Sequence, residues 1–131
     1  MATTYEPIAT TTLGSNQNTV TLSSINTTFT DLILIISGKL VTGGTTCQMR
    51  FNNDTSSNYS QTSLAGNGTS AGSGRNTNQT YIRIGEVYAG LSTSQSTVII
   101  SINNYANATT YKTPLIRSSD SAGEVGAYAG L

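Results

Sequence analysis

The sequence predicts an all-β protein, an antiparallel β-sandwich of jelly-roll type with about eight strands, and three observations lead there. Apolar residues alternate with polar ones in several short segments, and no helical period of useful length occurs. The apolar residues are mostly Ile, Val, Leu and Tyr, types that fit a pleated, half-buried surface. Clusters of Gly, Asn and Asp punctuate the chain at intervals typical of sandwiches. With 131 residues the chain forms one domain, residues 1–131.

The predicted strands are 4–13, 18–25, 30–41, 44–53, 57–65, 78–88, 95–104, 108–118 and 122–131. The run Leu32–Ile36 is apolar on both faces, so it is expected as a central strand, covered on one face by the opposing sheet and on the other by a loop or a second subunit. Val98-Ile99-Ile100-Ser101-Ile102 is the second segment with apolar residues on both faces. In 44–53, Cys47, Met49 and Phe51 point inward while Gln48, Arg50 and Asn52 point outward. In 80–84, Ile82 and Ile84 point inward while Tyr81 and Arg83 point outward. If those two strands are neighbours, Arg50 and Arg83 line one patch.

The segment Ala65–Gln79 holds Gly66, Gly68, Gly72 and Gly74 and reads as one long loop that orders against a neighbouring subunit. Pro7 and Pro114 fall inside predicted strands. Proline cannot donate to a ladder, so both strands are expected at edges or bulges. The N-terminal segment, with Tyr5, Pro7 and Ile8, is then an open edge for assembly.

Composition argues against catalysis. The chain has no His, one Cys, no Trp and twelve charged residues, and about two residues in five are Ser, Thr or Asn. Proton transfer near neutral pH needs groups that this chain scarcely holds. The acids Glu6, Asp31, Asp54, Glu86, Asp120 and Glu124 form no close pair by sequence, so a glycosidase dyad has no support. No catalytic residue, metal site or cofactor is expected. Asn52-Asn53-Asp54-Thr55 offers oxygen ligands of the kind calcium accepts, but without the Gly and distal Glu of a calcium loop it reads as a turn. The Gly-rich GNGTSAGSG lacks the Lys-Ser/Thr of a phosphate loop. Cys47 alone forms no intrachain disulfide and reads as a small buried hydrophobe.

A net charge of zero and six scattered cations leave no stripe for nucleic acid. The N-terminus shows no basic region followed by an apolar run, so synthesis in a cytosol is expected, and no segment reads as a membrane span. Binding falls to the tyrosines, whose rings carry an apolar body and a polar tip. Tyr59, Arg75, Tyr81, Arg83 and Tyr105 are the candidate contacts for glycan or subunit.

Several stretches carry a resemblance: MATTYEPIATTTLGS at 1–15, TDLILIISGK at 30–39, MRFNNDTSSNYSQTSLAGNGTSAGSGR at 49–75 and SINNYANATTYKT at 101–113. The most specific are RFNNDTSSNYS at 50–60 and NNYANATTYKT at 103–113. Together they resemble small virion structural proteins of tailed bacteriophages, of the cyanophage and marine-phage type. The resemblance implies a β-sandwich on the outside of a particle, in a tail fibre or appendage or as capsid decoration. It also implies virion proteins as partners, a homo-oligomer with a trimer favoured, and contact with host-surface glycan. Proteins of this type continue past 125–131 with further apolar strand, so the last sheet is expected to lack or share a C-terminal strand. A stand-alone carbohydrate-binding module is the alternative from another class.

Overall fold

A computed structural model describes residues 5–43, 46–86, 89–91 and 93–130. The described residues form ten β-strands and no helix. They are β1 (Leu32–Gly38), β2 (Gln48–Met49), β3 (Tyr59–Gly66), β4 (Ala71–Gln79) and β5 (Ile82–Arg83). Then follow β6 (Gly85–Glu86), β7 (Ala89–Gly90), β8 (Ser96–Asn103), β9 (Thr113–Asp120) and β10 (Val125–Gly130). Six make one sheet in the order β1-β8-β9-β10-β3-β4, with every pair antiparallel. Two short pairs, β2-β5 and β6-β7, stand apart from it. The chain is thus an antiparallel all-β protein of the sandwich kind, with one large sheet and one small layer.

Period-two alternation decides which face of the sheet is core. On the inner face Leu34, Ile100, Ile116 and Tyr128 lie in one cross-strand row. Val98 and Ile102 flank that row on β8, and Ile82 and Ile84 are buried in the same cluster from the small layer. Cys47, Met49 and Phe51 pack against the cluster, and Gln48, Arg50 and Asn52 face solvent, as their alternation predicts. Ile82 and Ile84 are inward as predicted.

The two layers are also joined through a side chain. Gln61, buried on β3, donates its Nε2 to the Arg83 carbonyl at 2.9 Å and accepts the Arg83 N–H at 3.0 Å. Its amide thereby satisfies one residue of β5 as a neighbouring strand would. Tyr128 occupies the space above Gly126: a Cβ built on Gly126 meets the tyrosine oxygen at 2.4 Å. The ring is 1% exposed and has nowhere to move.

Turn chemistry places the strand ends. Asn67 caps the β3–β4 turn, its Oδ1 accepting N–H groups of Thr69 and Ser70, while Gly68 takes a positive φ. Asp120 does the same for β9–β10, accepting from Ala122 and Glu124. Asp31 accepts the Asn104 N–H at 2.6 Å, and the Thr30 carbonyl accepts the Tyr105 N–H, so the β8–β9 loop is pinned to the entrance of β1.

Four expectations are corrected. Segment 65–79 is not one long loop: β3 and β4 form a hairpin, and the sequence Asn67-Gly68 is its turn signal. Leu32–Ile36 is not central: β1 is an edge strand, and Ile33 and Ile35 are 45% and 65% exposed. Pro114 lies in β9, which is interior. It is tolerated because it is the strand's second residue, one position before the ladder to β10 begins at Leu115. The described residues of the predicted strands 4–13 and 18–25, the first containing Pro7, belong to no strand. Alternation makes a segment competent for pairing, but a strand forms only where a partner edge is within reach. Thr4, Tyr88 and Leu131, ends of predicted strands or candidate tyrosines, lie outside the described residues.

Two substitutions test this core. Gly126→Ala forces Tyr128 off its position and should cost about 1–3 kcal/mol in chemical denaturation. Gln61→Leu keeps the volume but strands a buried N–H and C=O of Arg83. It should cost about 1–3 kcal/mol, with the loss read as a lowered denaturation midpoint at unchanged slope.

Candidate interaction surfaces

Two surfaces collect the side chains with something to offer a partner. The first is the outer face of the small layer. Residues Gln48 and Arg83 are cross-strand partners, and Met49 pairs with Ile82, so Arg50 falls beside Tyr81. The Arg50 guanidinium sits 5.5 Å from the Tyr81 ring centroid, a cation–π distance. Its Nε donates to the Thr80 carbonyl at 2.9 Å and one terminal nitrogen donates to Gln48 Oε1 at 3.1 Å. Gln48, Arg50, Tyr81 and Arg83 therefore make one patch of two cations, an amide and an aromatic ring, which a polar, hydroxyl-rich ligand can match.

The other candidate residues do not join it. Tyr59 is 5% exposed. Its hydroxyl accepts the Phe51 N–H and donates to the Asp54 carbonyl, so it staples the 51–54 turn to the core and is withdrawn as a surface contact. Tyr105 is half-buried and packs against the core cluster from the β8–β9 loop. Arg75 is exposed on β4, opposite Thr62 on the outer face of the large sheet, and so belongs to the other side of the molecule from Tyr81. Tyr5, Pro7 and Ile8 are exposed on the N-terminal arm.

The second surface is the outer face of the large sheet with its β1 edge. Register places Ile33, Ser101, Leu115, Ala129, Thr62 and Arg75 in one row across six strands. The next row runs Ile35, Ile99, Arg117, Ala127, Leu64 and Ser73. At the usual strand spacing the face is roughly 24 Å wide. Ile35, Leu64, Leu115 and Val125 are each about half exposed or more on it. Arg75, Arg117, Ser73, Ser101 and Thr62 interrupt these apolar side chains, and the bare isoleucines gather at the β1 edge. β1 alternates only in burial, and its continuous apolar sequence hides which residues stay bare.

The remaining chemistry is local. Each aspartate is engaged at a turn: Asp31 with Asn104, Asp54 with Ser56 and Asn58, Asp120 with Ala122 and Glu124. The segment 52–55 is a turn as predicted, with Asn52 and Asn53 at positive φ and the Asp54 N–H bonded to the Phe51 carbonyl. Among the described residues no group of three His, Cys, Asp or Glu side chains gathers for a metal. Burial pushes the Cys47 thiol up from its ordinary value, against a smaller opposing effect from the Gln48 backbone N–H. No described helix is long and apolar enough to cross a membrane.

Comparison with known proteins returns nothing: no family model, no curated protein and no solved structure matches the chain.

The Asp54 turn gives a pH prediction. The Ser56 backbone N–H, and after it the Asn58 and Ser56 side chains, hold the Asp54 carboxyl below its ordinary 3.8. Its contribution to stability is therefore present above 3.8 and is lost as pH falls through the lower folded value. Because the carboxylate is exposed, the effect is small. Thermal melts of the native chain and of Asp54→Asn should differ by a constant amount above about pH 5 and converge below the ordinary carboxylate range.

Proposed function

We propose that this chain is a non-enzymatic structural protein of a phage virion, exposed on the particle, where it serves assembly and host adhesion. The observation that carries the reading is the pairing of exposed isoleucines at the β1 edge of the sheet with an N-terminal arm that joins no strand. Tyr5 is 73% exposed, and Ile8, Leu13, Val20 and Leu22 are 40–50% exposed along it. Such apolar area left bare in a single chain suits a protein completed by its neighbours. The capping duties of Asp31, Asp54 and Asp120 favour a structural reading over an acid–base one. The sequence resemblance to tailed-phage virion proteins supplies the context.

Within that reading the role is a tail-fibre or appendage component, oligomeric, with a trimer favoured. The Gln48–Arg50–Tyr81–Arg83 patch is its glycan contact, weak per copy and strengthened by copy number. Capsid decoration is the second placement. It would use the same apolar face to grip the shell.

Mass spectrometry of gradient-purified phage particles tests the first claim: the chain should band with the particle, and its absence there refutes a virion role. Adhesion is checked by binding of the purified oligomer to host cells. Tyr81→Ala should lower apparent affinity about tenfold, the equivalent of about 1.4 kcal/mol. An unchanged affinity would move the protein to the capsid placement. A monomer that binds sugar unaided would favour the stand-alone module.

A further inference from the structure

We propose that residues Thr19–Ser23 of one copy add as a seventh strand to the β1 edge of a second copy. This rests on the assembly reading above and specifies how copies join. The sheet has two edges of unlike character. β4, sequence Ala-Gly-Ser-Gly-Arg-Asn-Thr-Asn-Gln, carries a charge, two glycines and a register shift against β3, all features that discourage pairing. β1, sequence Leu-Ile-Leu-Ile-Ile-Ser-Gly, has no charge, no proline and unbroken register with β8 from Leu32 to Gly38. It is an edge strand with open backbone groups and two bare isoleucines.

The arm supplies the complementary part. Thr19-Val20-Thr21-Leu22-Ser23 alternates polar and apolar and is rich in β-branched residues, and it forms no strand, turn or bend of its own. Val20 is 50% exposed and Leu22 is 40% exposed. On an added strand both fall on one face, beside Ile33 and Ile35. No charged residue occurs from Pro7 to Thr30, nor in β1, so no repulsion or buried charge opposes the contact.

The same molecule does not close its own edge. Thr30 and Asp31 are held to Tyr105 and Asn104 at the entrance of β1. The Asn26 side chain caps a turn by accepting the Thr28 N–H, and Ser24 adopts a positive φ. Ile25 and Phe29 are half-buried at the root of the arm. Seven residues, when extended, reach roughly 23 Å, enough to meet a neighbour.

Cysteine pairing decides the matter. Full-length chains with Cys47→Ser carry either Leu22→Cys or Ile35→Cys, and the two are mixed and oxidised. A disulfide-linked species at twice the 13.7 kDa chain mass should form in the mixture and not in either chain alone. Ile35→Cys homodimers would show edge-to-edge pairing and overturn the proposal, and so would Leu22→Cys homodimers. A double variant that closes only within one chain also overturns it. Without engineered cysteines, Ile35→Lys should keep its β-sheet circular dichroism and lose oligomer mass in sedimentation equilibrium, and an unchanged mass refutes the edge. Presence of the chain in purified particles together with failed cross-linking would reject arm exchange while leaving the virion role intact.

Discussion

The fold depends on one cross-strand row, Leu34–Ile100–Ile116–Tyr128, and on the isoleucines 82 and 84 that close over it. Ile100, Ile116 and Ile82 are wholly buried, and each is worth about 1.5–3 kcal/mol relative to exposure. A chain so rich in Ser, Thr and Asn has few such residues, and those wholly buried gather in this one layer. The small strands β2 and β5, two residues each, have little ladder of their own. They are held because Met49, Ile82 and Ile84 join the core and because Gln61 bonds the Arg83 backbone. The arrangement of Gln48, Arg50, Tyr81 and Arg83 is therefore a consequence of the core beneath it.

Much of this was legible. Alternation at 95–104 and 57–65 announced β8 and β3 nearly to the residue, and the inward triplet Cys47, Met49 and Phe51 followed from period two alone. The same rule put Arg50 and Arg83 on one side, and pairing of β2 with β5 brought them together. What failed, failed for definable reasons. Gly72 and Gly74 suggested a loop, although on the inner face of β4 small residues allow close packing, with Ser63 Oγ 3.1 Å from a Cβ built on Gly74. Tyr59 looked like a surface ring because it follows an Asn-rich turn. Its hydroxyl is instead the group that holds the turn.

The misplacement of Leu32–Ile36 is the most instructive. A strand apolar on both faces is normally covered on both. Here the inner residues Leu34 and Ile36 pack on the core while Ile33 and Ile35 stay open. Sequence pattern reports what a segment needs buried, and one chain need not supply the burial. The arm carries the same message, since Tyr5, Leu13, Val20 and Leu22 lack cover as well. In the proposed exchange two unmet requirements within one sequence, one on an edge and one on the arm, satisfy each other.

The energetics set the character of that meeting. Ordering five arm residues costs roughly 5–10 kcal/mol of backbone entropy. Burial of Val20, Leu22, Ile33 and Ile35, none of them fully exposed at the outset, returns roughly half of 6–12 kcal/mol, and new ladder hydrogen bonds add about 0.5–1.5 kcal/mol each. The terms nearly cancel, so a single exchange is weak and reversible at low concentration. The proposed place on a particle would hold neighbours at high effective concentration, where the same contact becomes persistent. A contact this weak per copy also makes the proposed oligomer depend on concentration, so that it holds in a concentrated purified sample and separates on dilution.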